Sequence, residues 1–397
     1  MPAPDDRKPR NRTGSRLEPF GTTIFSTITA KAHASGAINL GQGFPDNDPP
    51  RELIEIISDM HLAGRNQYAP MPGLPSLRTA VSLDRERRGF NTWNPDAEIT
   101  ITSGATEALA ATFLGLLEIG DEVILFDPAY DAYPAGISMA GAVPVRLSTE
   151  HDDFQITRTA LEGAITPRTK MLVLNSPWNP TGRVVSDSEL EIIADVCRRY
   201  ELTCVSDEVY ERLIFDGVHR SIADLPGMRE RTVVISSLGK RYSCTGWKIG
   251  WACASESMTA AIRAAHQFLV FSVPEPLQHA AHHALSRLDA AWELNVHETY
   301  EKRRGILFNG LLSAGLQPRM TEGSYFILAE TGVHEDPTDV DFCARMIEQA
   351  GVAAIPASIF TKEGQGCRKH VRFAFCKSEH DLNEAIARIR QLKPTCT

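Results

Sequence analysis

Between about residue 98 and residue 254, short β-rich runs alternate with helix-like stretches. That alternation restricts the chain to an α/β fold with a mostly parallel sheet covered by helices on both faces. The runs cover residues 98–102, 122–126, 143–147, 170–174, 203–206, 232–236 and 248–252, and residues 107–117 and 189–200 carry apolar side chains at helical spacing. Sheets of this kind take their ligands beyond the carboxyl ends of the strands. The residues directly after each run are therefore where chemistry is expected.

After the first run, Ser103-Gly104-Ala105-Thr106 stands ahead of a helix. Free backbone N–H groups and the positive end of the helix dipole suit a phosphate there, although small residues at such a place also serve plain capping. The second run ends in Asp127-Pro128-Ala129-Tyr130, whose ring either stacks on a planar ligand or packs in the core. The fourth gives Asn175 and Asn179 in a turn rich in proline. The fifth leads into Asp207-Glu208-Val209-Tyr210. A carboxylate at the mouth of an apolar strand must be paired or functional, because an isolated buried charge is very costly; a salt bridge to an arginine meets the same demand. The sixth run opens into Ser237-Leu238-Gly239-Lys240. With 31 arginines and ten lysines in the chain, a lysine here stands out, and an amine desolvated at a sheet edge has the lowered pKa that favours Schiff-base formation. Lys248 follows closely enough to add a second positive charge beside a phosphate, while a surface position is the ordinary fate of either lysine.

Composition narrows the classes of function. A net charge of −9 over 397 residues carries no basic footprint for nucleic acid and no polybasic membrane address. Eight cysteines are scattered without a C-x-x-C pair, and no histidine cluster has metal-ligand spacing. Reduced thiols in a cytoplasmic protein, with no metal, are expected. His279, His282 and His283 read as solvated or interface histidines. Residues 1–16 mix Pro, Asp and Arg without an apolar core, so they read as a disordered tail rather than a signal or a spanning helix.

In this order on successive sheet edges, a phosphate cradle, a stacking ring, an amide, an acid with a phenol and a lysine resemble the class I/II aminotransferases of pyridoxal 5′-phosphate (PLP) fold type I. The segments that carry the resemblance are NLGQGFPD (39–46), NQYAPMPGLPSLR (66–78), TSGATEAL (102–109), NSPWNPTGRV (175–184), SDEVYERLIFDG (206–217), SSLGKRYSCTGWKIGW (236–251) and VRFAFCK (371–377). It extends over about 17–392 and is similar above all to the group of kynurenine/glutamine, methionine and N-succinyldiaminopimelate aminotransferases. It implies a three-layer α/β/α large domain with a seven-stranded sheet over 49–290, an arm over 17–48 packing with a small α+β domain over 291–397, and a long linking helix starting after Pro276.

The resemblance also implies roles. Lys240 would hold PLP as a Schiff base and shuttle a proton as general base and acid. Asp207 would pair with the pyridinium nitrogen, Asn179 and Tyr210 would bond the ring's phenolic oxygen, and Tyr130 would lie against the ring face. Ser103, Gly104, Ala105, Ser237 and Lys248 would take the phosphate, and Tyr68 would reach the phosphate of the other subunit in a homodimer. Arg372 would clamp the substrate α-carboxylate; read by itself it is first of all a salt-bridge partner on a strand. Gly43 would leave room for that carboxylate, and Phe25 would line the side-chain pocket. The expected activity is ping-pong transfer of an amino group from an α-amino acid to a 2-oxo acid. A PLP enzyme of another kind, such as a β-lyase, decarboxylase, oxidase or cyclase, shares every motif and stays open. Leu238, Arg241 and Ala129 depart from the usual pattern, and both segments lie where they are expected to reshape the pocket.

Overall fold

The computed structural model describes residues 15–21, 24–288, 290–334 and 336–392, without the side chains of residues 290, 291 and 363. Most of the expected tail, residues 1–14, lies outside the described residues, as does Cys396; Ser15–Leu17 forms a 3-10 turn.

All seven runs are strands of one sheet. They are β1 (Ile99–Thr102), β2 (Glu122–Asp127), β3 (Val143–Ser148), β4 (Thr169–Asn175), β5 (Thr203–Asp207), β6 (Thr232–Ser237) and β7 (Gly250–Cys253). Across the sheet the order is β1-β7-β6-β5-β4-β2-β3. Only β7 runs against its neighbours. The burial pattern explains why the runs were legible: β1, β2 and β7 are buried at every residue and β4 to β6 at nearly every one, as expected of strands covered on both faces. β3, at the edge, has no buried residue.

The helix expected over 107–117 begins earlier, at Gly104, and runs Gly104–Leu116. It packs with Ala132–Met139 and Glu256–Leu269 on an apolar layer that includes Phe113, Ile137 and Ile262. On another layer, Leu190, Ile193 and Val196 of helix Asp187–Arg199 pack on Leu172 and Leu174 of β4. Ser186 and Glu189 close that helix's first turn reciprocally, as a capping box.

After Pro276 the expectation needs correcting. Helix Glu275–Arg287 starts just before that proline, which sits in the first turn where a missing N–H costs nothing. It spans 13 residues, and the long helix is the next one, Ala290–Ser313, of 24 residues. Beyond it, a four-stranded sheet has the order Ile355–Pro356, His370–Ala374, Phe326–Glu330, Gln317–Pro318, with antiparallel neighbours. The N-terminal arm, with helix Ile24–Ser35, adds the short strand Ile38–Asn39 in parallel to Val352–Ala353.

Candidate active site

A cavity of about 530 Å³ lies at the carboxyl ends of β1, β2, β4, β5 and β6 and is also lined from the second sheet and the arm. Every residue to which the resemblance gave a cofactor or substrate role lines it except Ser103 and Tyr68. Ser103 precedes the first turn of the helix, its backbone N–H donating to Glu107 Oε2 at 3.0 Å. Tyr68 is 80% exposed and stands edge-on to Phe271, with ring centroids 5.2 Å apart.

Strand direction accounts for the one lysine that does not follow a strand. Because β7 is reversed, its first residues lie at the edge where the parallel strands end, so Lys248 stands before β7 and not within it, as the run 248–252 had implied. A left-handed backbone at Lys248 (φ 54) ends the turn Thr245–Trp247 and carries Nζ to 3.4 Å from Thr106 Oγ1. The helix starting at Gly104 approaches closely: a Cβ on Gly104 would sit 3.2 Å from Lys248 Nζ, and one on Gly250 would sit 2.7 Å from the carbonyl carbon of Gly104. The first N–H groups of that helix, an ammonium and the mouth of the cavity thus share a space that any side chain would fill.

Lys240 sits on the single helical turn Leu238–Arg241 that Ser237 opens at the end of β6. Its Nζ lies 3.4 Å from the Gly43 carbonyl and 5.6 Å from the ring centres of Tyr210 and Tyr325. Burial brings its pKa down to about 8, reinforced by Arg372 and Lys248 and opposed by Cys376 and Asp207. Asp207, 4% exposed, ends β5. Burial pushes its carboxyl up to about 6, against the phenol of Tyr133, which donates to Oδ2 at 2.6 Å, and the N–H of Val209 at 3.3 Å. A carboxylate so placed is short of positive charge. Asn175 braces the neighbouring strand ends, donating to the Asp207 carbonyl at 2.9 Å and accepting from the Asn179 N–H at 2.8 Å.

Arg372 reaches the cavity from strand His370–Ala374. It donates to Asn179 Oδ1 at 2.8 Å and to the Gly41 carbonyl at 2.7 Å, while Nε is buried without a partner. The guanidinium lies 4.0, 5.1 and 5.3 Å from the ring centres of Phe326, Phe360 and Phe25. Burial lowers its pKa to about 10, with the nearby phenols and Asp131 opposing. Among the described residues no carboxylate stands within salt-bridge distance of it, so the salt-bridge reading fails and a buried cation is left facing the cavity. An anion fits there.

Sequence reasoning missed Tyr133, Tyr325 and Phe326. Tyr133 follows Tyr130 by three residues at the start of a helix, with ring centroids 5.6 Å apart, a spacing that could have flagged it. Tyr325, which donates to the Gly43 carbonyl at 2.5 Å, comes from the second sheet with no local signal. The departures from the family pattern also need correcting, since none of the three residues lines the cavity. Leu238 and Ala129 are buried in apolar layers, and Arg241 pairs with Asp84 at 3.0 Å and with Glu293.

Comparison with known proteins gives one answer. Residues 35–389 match the family model described as "Aminotransferase class I and II". A protein of Mycobacterium tuberculosis named a probable N-succinyldiaminopimelate aminotransferase is 42% identical over 391 residues, 96% of this chain and 98% of that one. The structure of N-succinyldiaminopimelate aminotransferase from that organism superposes with a TM-score of 0.92 over 95% of this chain and 99% of the other, at 42% identity. The methionine aminotransferase of Escherichia coli is 39% identical over 379 residues, 95% of this chain and 98% of that one.

Proposed function

This chain belongs to the class I and II aminotransferase family, and from that premise we propose that Lys240, Asp207 and Arg372 are the centre of its PLP-dependent amino-group transfer from an α-amino acid to a 2-oxo acid. The observation that carries the assignment is their joint presence in one cavity: a desolvated amine, a buried carboxyl short of a cation and a buried guanidinium short of an anion. The residues fit the cofactor. Gly104, Ala105, Ser237 and Lys248 would hold the phosphate, Asp207 the ring nitrogen, Asn179 and Tyr210 the phenolic oxygen, and Tyr130 the ring face; Ser103 would support the cradle from behind. Bound PLP supplies a carbonyl carbon for amines and a positively charged ring that accepts the electron pair left when the Cα–H bond breaks.

The chain's own work is binding, orientation and proton transfer. Arg372 anchors the substrate carboxylate beside Gly43, where a Cβ would sit 2.4 Å from the Phe326 ring. Lys240, with a pKa near 8, is neutral in about a tenth of molecules at pH 7 and takes the Cα proton on Nζ. Asp207 holds positive charge on the ring nitrogen. Tyr133, donating to Asp207, orients that carboxylate.

A donor screen followed by loss of the cofactor's visible absorbance, with initial rates over both substrates, tests the proposal. Parallel double-reciprocal lines and amino-group transfer matched one to one by oxo acid are expected. Intersecting lines, or ammonia or carbon dioxide release in place of transfer, would favour the lyase or decarboxylase alternative, which the names of the relatives given above do not support.

Phe25, Phe44, Tyr130 and Phe326 line the cavity and favour aromatic or long apolar side chains. Replacing Phe25 with alanine should raise KM for such donors by about tenfold and leave KM for alanine within about twofold; equal effects would remove this reading.

We further read residues 49–290 as the cofactor-holding unit and 17–48 with 291–397 as its companion. The exposed Tyr68, beside Phe271, supports a homodimer in which Tyr68 reaches the other subunit's phosphate, as does Phe268, 87% exposed. The seven described cysteines, all free, support the cytoplasm. No described helix is long and apolar enough to cross a membrane.

A further inference from the structure

We propose that Glu150, Cys367 and His370 form a binding site for one zinc ion outside the catalytic cavity. A carboxylate oxygen, the sulfur and an imidazole nitrogen of these residues lie within 4.8 Å of one another. Glu150 opens the turn Glu150–Asp152 that follows β3, while Cys367 lies just ahead of strand His370–Ala374. Sequence spacing could not reveal the trio, because Glu150 is 217 residues away from Cys367.

His370 carries the argument for a cation. It is 8% exposed and lies between two carboxylates, with Glu150 Oε1 3.6 Å from Nδ1 and Glu330 Oε1 3.6 Å from Nε2. Nδ1, on the Glu150 side of the ring, is buried without a hydrogen-bond partner. A metal ion between Nδ1 and the Glu150 carboxylate would bond both, and a carboxylate on the far ring nitrogen is the usual support of a metal-bound histidine.

The sulfur selects the ion. Thiolate, imidazole and carboxylate together suit zinc, at about 2.3, 2.0 and 2.1 Å. In a tetrahedron those bonds separate the ligand atoms by roughly 3.3–3.6 Å; Nδ1 and Glu150 Oε1 are already 3.6 Å apart, and the trio as a whole must close from within 4.8 Å. Water takes the fourth position. On binding, the Cys367 thiol releases one proton to solvent, and thiolate and carboxylate balance the two positive charges. The Cys367 N–H already donates to Glu150 Oε2 at 2.9 Å, which holds the carboxylate against the turn. A second trio, Glu208, Glu211 and His219, differs in that arginines already neutralise its carboxylates, Arg85 3.6 Å from Glu208 and Arg88 2.6 Å from Glu211, although His219 Nδ1 and Nε2 are likewise without hydrogen-bond partners.

Holoenzyme freed of unbound cofactor and treated with chelator should take up about one zinc per chain, with a higher Tm, and cobalt(II) in its place should give the visible bands of a tetrahedral site. Cys367→Ser and His370→Gln should each weaken uptake at least about hundredfold and abolish the tetrahedral bands. Glu330→Gln alters a half-exposed side chain (52%) and should fold normally, with zinc affinity reduced about 10- to 100-fold. No stoichiometric uptake by the unaltered protein, or uptake undiminished in Cys367→Ser and His370→Gln, overturns the proposal. If those two variants fail to fold, unchanged affinity in Glu330→Gln overturns it.

Discussion

Replacing Lys240 with alanine should lower amino-group transfer by at least about 10⁴-fold, the upper end of what a positioned proton-transfer group contributes. The loss should be this large because no other amine can take over. Among the described residues Lys248 is the one other lysine lining the cavity, and its Nζ is turned to Thr106 and the start of the helix at Gly104. The amine at 240 is also the one whose pKa burial has brought to about 8, within reach of the pH at which it must both take and return a proton. Borohydride reduction followed by denaturation gives a second readout. The unaltered protein should keep the cofactor's absorbance on the chain, and Lys240→Ala should lose it. Full activity in the variant would remove the mechanism altogether.

The large sheet was legible because β2 and β4 to β7 are buried on both faces and so read as continuous apolar runs between turn residues. Strand direction was not. Nothing local distinguishes a reversed β7 from a parallel one, which is why Lys248 was first placed inside its strand. The site divided in the same way. Asp207 ends a strand of the parallel set and Lys240 and Asn179 each follow one, so the rule that ligands lie at the carboxyl edge finds them from sequence. Arg372, Gly43 and Phe25 come from other parts of the chain, and only the family resemblance pointed to them. Tyr133 and Tyr325 had neither support. Their contacts, with Asp207 and with the Gly43 carbonyl, exist only once distant segments have packed.

Asp207→Asn should separate two effects that a catalytic carboxylate usually confounds. Transfer should fall by about 10²- to 10⁴-fold, since the amide cannot hold positive charge on the ring nitrogen. The cofactor-free variant should nevertheless be the more stable protein above neutral pH. In the folded chain burial raises the Asp207 pKa from 3.8 to about 6, so the folded state binds this proton more tightly than the unfolded state does. The contribution to stability is fully present below pH 3.8 and is lost as pH rises through about 6. Removing the ionisable group should therefore recover on the order of 3 kcal/mol at pH 8 in the cofactor-free protein. A cation on the ring nitrogen reverses the sign by stabilising the ionised carboxylate, so cofactor affinity of the unaltered chain should rise as pH climbs through about 6, and that step should vanish in Asp207→Asn. Tyr133→Phe keeps the carboxylate and deletes the donor that lowers its pKa. Its step should move to higher pH while transfer drops by only about tenfold. Should the step persist unchanged in Asp207→Asn, some other group owns it, and the carboxylate's place opposite the ring nitrogen must be given up.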